Sequence, residues 1–78
     1  MGRSRKPDIR HRFGSAVKAR REQLDLTQEA LAEKSYIHRT YLSDIERGTR
    51  NPSLINIERL AAALNISLPE LFTLTITD

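Results

Sequence analysis

Three residues, Ser35, Tyr36 and Ile37, are all that separate two stretches of helical periodicity. The first runs from Thr27, a capping residue with Gln28 and Glu29 behind it, to about Lys34. The second runs from about His38 to Arg47, and Gly48 is suited to end it. A joint this short holds two helices in contact at a steep angle. Leu31 points inward, and Ala32 is small where another helix has to pass close. The spacing therefore predicts a helix-turn-helix, and the remaining elements must pack around it.

The rest of the chain reads as three more helices. Asp8 caps a stretch from Ile9 to Leu24, with Ile9, Phe13, Ala16, Val17 and Leu24 on one stripe. Gly14 lies inside that stretch at a cost of about 1 kcal/mol relative to alanine, and is expected to allow close helix approach. After the turn "GTRNP", Ser53 caps a fourth helix with Leu54, Ile57, Leu60, Ala61 and Leu64 inward, and Asn65 suits the left-handed position beyond its end. "SLPE" is a capping box, Ser67 with Glu70, that opens a fifth. The terminal "TLTITD" is β-branched and expected to be frayed or extended. The expectation is an all-α domain over residues 9–74, a basic tail over 1–8 and a short tail over 75–78.

With 78 residues the chain is at most one domain and buries a small core. It has no cysteine, which excludes disulfides and thiolate metal sites and leaves regular helices and oligomerisation as sources of stability. His11 and His38 are far apart in sequence, and neither a metal nor another cofactor is expected. No apolar run approaches the length of a membrane span, and "MGRSRKPDIRHR" has no apolar stretch behind it to make a secretory signal. A cytoplasmic location is expected.

Residues 1–12 carry five basic side chains against Asp8, a net +4, whereas residues 13–78 carry eight basic and nine acidic ones, a net −1. A polyanion is the natural partner of such a tail, and the plain alternative is a tail that only aids solubility. The second helix of the pair sharpens the choice. At about 100° per residue, Tyr41, Leu42 and Ile45 share one side, while Arg39, Thr40, Ser43, Asp44 and Arg47 span the opposite arc. In a helix-turn-helix this second helix lies in the major groove of DNA. Arginine there can donate twice to guanine, while serine and threonine bond several bases. Gln28, at the first turn of its helix, and Arg50 and Asn51 in the following loop are suited to phosphates. The alternative is an ordinary solvated helix face. Catalysis is not expected, because nucleophile–base spacing, a phosphate-cradling glycine loop and a carboxylate cluster are all missing.

"LTQEALAEKS", "HRTYLSDIERGTRNPSL" and "LAAALNISLPEL" together resemble the Xre/Cro family of helix-turn-helix regulators over about residues 9–74. Within that family the chain is similar to controller proteins of restriction–modification systems. The resemblance implies a compact five-helix, lambda-repressor-like DNA-binding fold. It also implies a homodimer on an operator with inverted half-sites, acting on its own gene and an endonuclease gene by activation and autorepression. It places base reading on Arg39, Thr40 and Ser43, with Tyr41 or Asp44 as additions, and phosphate contacts on Thr27, Gln28, Arg47, Arg50 and Asn51. It pairs Arg21 with Glu46 as a structural bond. Phage-type repressors and DNA-binding antitoxins or adaptors share parts of these motifs and remain alternatives.

One departure is Tyr36, at a turn position the family usually gives to glycine. Either the turn is adjusted or the strain of a positive φ is tolerated. Leu68, Leu71, Phe72, Leu74 and Ile76 crowd the C-terminus, and a two-fold interface is expected there, shared with closure of the monomer core. Glu29 and Glu33, one turn apart beside the expected DNA, are candidates for touching a sigma subunit of RNA polymerase; the simpler reading is two solvated acids.

Overall fold

The computed structural model describes residues 7–77, so Arg3, Arg5 and Lys6 of the basic tail lie outside the described residues. Five helices follow one another: α1 (Ile9–Gln23), α2 (Gln28–Ser35), α3 (Arg39–Arg47), α4 (Leu54–Ala63) and α5 (Leu68–Ile76). Four begin where capping chemistry places them. The side chains of Asp8, Thr27, Ser53 and Ser67 accept from the backbone N–H groups of Arg10, Ala30, Asn56 and Glu70, and Glu70 returns the bond to Ser67. His38 precedes α3 without a side-chain cap bond.

The turns are as local as the caps. Asp25, Tyr36, Gly48 and Asn65 have positive φ, each just past a helix. Tyr36 sits at φ 59° and ψ 41°, and the N–H of Ile37 closes the turn on the Ala32 carbonyl at 3.0 Å. The turn therefore keeps the left-handed geometry that glycine would take. Tyr36 carries the strain, on the order of 1–2 kcal/mol. Its ring is 83% exposed and gains no burial in return.

All five helices contribute to one core: Phe13, Ala16 and Val17 from α1, Leu31 and Ala32 from α2, Leu42 and Ile45 from α3, Leu60 and Ala61 from α4, and Leu71 from α5, with Ile37 and Leu64 from the turns. Some expected core positions face out. Ile9 and Leu54, each at the first position of its helix, are exposed at 53% and 76%. The C-terminus also differs from expectation. α5 runs through Ile76, and Thr75 is buried, its hydroxyl donating to the Leu71 carbonyl at 2.9 Å. That bond lets a β-branched polar residue sit inside a helix, so Thr75 and Ile76 belong to α5 rather than to a tail.

Two contacts lock α3 against α1. A methyl group at Gly14 would fall 2.1 Å from the Ile45 carbonyl oxygen and 2.8 Å from that of Glu46, so only hydrogen fits between these backbones. Beside it, Arg21 grips the Glu46 carboxylate with two bonds, Nε to Oε2 at 2.7 Å and a terminal nitrogen to Oε1 at 3.0 Å. The other terminal nitrogen donates to the Leu26 carbonyl at 2.8 Å. Both side chains are largely buried, at 11% and 4% exposure, and the bond to Glu46 raises the Arg21 pKa further. Removing one partner from such a pair leaves a charge without compensation and costs about 3 kcal/mol or more.

Gly14→Ala should destabilise the fold by about 1–3 kcal/mol, because overlap outweighs the better helix propensity of alanine. Thermal unfolding checks this, and a rise in Tm would contradict it. Acid should loosen the N-terminus of α1. The Arg10 guanidinium and backbone N–H hold the Asp8 carboxyl at about 2, below its usual 3.8. A depressed folded-state value means that the cap stabilises fully above about pH 4 and is lost as pH falls toward about 2. An NMR titration of Asp8 should show a midpoint near 2, and a midpoint near 4 would contradict it.

Candidate nucleic-acid interface

The lock on α3 decides what the helix shows to solvent. Leu42 and Ile45 are at most 1% exposed, and Glu46 turns inward beside them. Arg39, Thr40 and Arg47 are exposed on the other side, with Ser43 and Asp44 half-buried between them. The expected row of donors is thus a continuous outward face on a helix fixed from behind. Tyr41 lies at its edge, half-buried and packed against the core.

The side chains on this face are engaged with each other. Arg47 donates to Ser43 Oγ at 2.8 Å and forms an ion pair with Asp44. Arg50 reaches back from the loop to the other Asp44 oxygen at 3.3 Å, and its guanidinium lies 4.8 Å above the Tyr41 ring. Arg39 faces Glu29 of α2 at 3.9 Å, with both side chains more than half exposed. The Arg39–Glu29 pair, open to water on both sides, is weak, worth about 0–1 kcal/mol, and can open for a better partner. A phosphate or a guanine edge is such a partner for arginine.

The expected phosphate contacts fall into two groups. Arg50 and Asn51 are exposed on the loop after α3. Thr27 and Gln28 stand at the start of α2, and both already have work within the fold: Thr27 Oγ1 caps Ala30 at 3.0 Å, and Gln28 Nε2 donates to Glu46 Oε1 at 3.0 Å. The amide of Gln28 has a second N–H to give. One glutamine can therefore join α2 to the buried ion pair and still face a phosphate. Glu33 is exposed on α2 and forms no ion pair among the described residues. Sequence reasoning missed the double role of Gln28 and the position of Asp44 between two arginines. It also missed Arg20, which donates to the Leu64 carbonyl at 3.0 Å and pins α1 to the end of α4.

The C-terminal apolar residues divide. Leu71 is fully buried and belongs to the core, so it is not available to an interface as expected; it faces straight into the bundle. Leu68 is half-buried against the same core. Phe72, Leu74 and Ile76 are 37%, 46% and 58% exposed. Phe72 meets Phe13 with ring centroids 6.3 Å apart and lines a shallow apolar groove with Ile9, Pro52 and Ile57. Leu74 faces another way, over Ser15 and Ala19 of α1. Ile55 is also exposed, at 62%. No helix among the described residues is long and apolar enough to cross a membrane.

Comparison with known proteins agrees with this geometry. The helix-turn-helix family model matches residues 17–71. The control protein C.MunI of a Mycoplasma species is 49% identical over 67 residues, which is 85% of this chain and 90% of that protein. The crystal structure of the restriction-modification controller protein C.AhdI from Aeromonas hydrophila superposes with a TM-score of 0.79 at 44% identity, covering 81% of this chain and 96% of that one. The controller protein C.Esp1396I, crystallised as a tetramer with its natural 35 base-pair operator, superposes with a TM-score of 0.83 at 32% identity, covering 91% and 93%. The chain is a member of the helix-turn-helix family of DNA-binding transcriptional regulators, in the branch of the restriction-modification control proteins.

Proposed function

We propose that the chain binds a double-stranded DNA operator as a homodimer and regulates its own gene together with that of a restriction endonuclease. The observation that carries this reading is the outward row Arg39, Thr40, Ser43 and Arg47 on a helix whose opposite side is locked into the core. Arg39, Thr40 and Ser43 read base edges in the major groove, with Tyr41 at the rim. Thr27, Gln28, Arg47, Arg50 and Asn51 meet the phosphates on either side.

The dimer forms through the apolar residues that the bundle leaves outside: Phe72 and Ile76 of α5, and Leu74 at its other flank. Two-fold pairing sets the α3 helices about 34 Å apart, one turn of B-DNA, and an inverted repeat is the matching operator. The tetramer of C.Esp1396I on its operator supports two such dimers on one control region. In this reading the first occupancy activates and the second represses. Activation needs a polymerase contact. Glu33 is the better placed of the two acids of α2, since Glu29 already faces Arg39. Acidic Glu33 suits a basic patch on a sigma subunit, in the cytoplasm where this chemistry takes place.

The direct experiment is a gel shift with the DNA upstream of the chain's own gene, beside sedimentation of the free protein. A salt-sensitive complex and a stable dimer are expected; a monomer with no preference for that DNA would refute the reading. Arg39→Ala should cost about 1–3 kcal/mol on the operator and relax preference at one base pair per half-site. Arg50→Ala should weaken operator binding and lower the salt slope on the operator by about one, without relaxing preference at any one base pair. Equal losses on operator and random DNA for Arg39→Ala would remove its assigned role.

A further inference from the structure

Asp44 stands in the middle of the DNA-facing surface as an acid among donors. A carboxylate there is repelled by every nearby phosphate, so its presence requires an account. Its geometry supplies one. Its two oxygens are divided between Arg47 and Arg50, one each. Its backbone carbonyl holds the loop as well, accepting from the Thr49 N–H at 3.0 Å and the Thr49 hydroxyl at 3.2 Å. Each arginine has a second anchor: Arg47 on Ser43 Oγ and Arg50 over the Tyr41 ring. Asp44 is 21% exposed, whereas Arg47 and Arg50 are 61% and 49% exposed. The acid is thus sheltered beneath the two cations it binds.

An unrestrained arginine on a long side chain reaches phosphates in many registers. Such contacts release counterions and supply most non-specific affinity. An arginine already bonded to a carboxylate must give up that bond to follow a phosphate elsewhere. It keeps its place where the docked duplex brings a phosphate to it.

We propose that Asp44 is a specificity-determining residue, an internal counter-ion that clasps Arg47 and Arg50 and so withholds them from random DNA. The clasp leaves both arginines preset beside Ser43 and Tyr41 for the operator geometry. This rests on the operator-binding reading above.

Asp44→Asn tests it, with binding measured on the operator and on a random duplex of equal length over a series of salt concentrations. Freeing one or two arginines should steepen the salt slope on random DNA by about one to two and raise affinity for it roughly fivefold or more at low salt. Operator affinity should rise less or fall, so the ratio between the two DNAs drops. Asp44→Ala should do the same, and thermal melting checks that each variant is folded. Glu33→Gln makes the same change in net charge without touching an arginine, and should alter the slope and the ratio far less. An Asp44→Asn protein with the wild-type slope and ratio overturns the clasp, and so does a Glu33→Gln protein that matches it. A wild-type protein that never prefers its upstream DNA overturns the operator reading itself.

Discussion

The structure depends on how closely α1 and α3 approach. Gly14 presents no side chain to the carbonyls of Ile45 and Glu46, and the Arg21 guanidinium closes on the Glu46 carboxylate beside that contact. Gln28 adds α2 to the same carboxylate. Three helices thus meet at one buried charge. A buried ion pair adds little net stability, since desolvation offsets most of the attraction. What it does supply is geometry: α3 can neither roll nor slide without leaving Glu46 unpaired. A reading helix has to keep its donors on one side within fractions of an ångström, and this junction fixes that side.

The outward face has a different electrostatic character. Its cations are paired, Arg39 loosely with Glu29 and Arg47 and Arg50 with the sheltered Asp44. The face is therefore less positive than its arginines suggest, and beyond the first twelve residues the chain is slightly acidic overall. Non-specific attraction to DNA falls on few groups under these conditions. On the operator reading proposed above, affinity comes from fit and from two-fold repetition.

Much of this was legible in the sequence because it is local. Thr27, Ser53 and Ser67 cap within three residues, Gly48 and Asn65 stop helices within two, and the joint at residues 35–37 fixes how α2 meets α3. The outward row on α3 followed from periodicity alone. What failed depended on neighbours that no window contains. Ile9 and Leu54 have the right spacing, but each opens its helix and stays largely exposed. Thr75 looked like the start of an extended tail until α5 lay against α1 and buried it. Leu71 could not be told from Phe72 as core or interface, because one residue of rotation separates them. The ion pair of Asp44 with Arg50 was not legible either, because it forms only when the loop folds back over Tyr41.

The central claim is that the polar side of α3 enters the major groove because its apolar side is held by α1 and α2. Methylation interference on the operator tests it most directly. A methyl group on guanine N7 projects into the major groove, whereas one on adenine N3 lies in the minor groove. N7 methylation should abolish binding at guanines in two clusters about one helical turn apart, and N3 methylation between them should have little effect. Binding that survives N7 methylation throughout, or fails only on N3 methylation, would contradict the account.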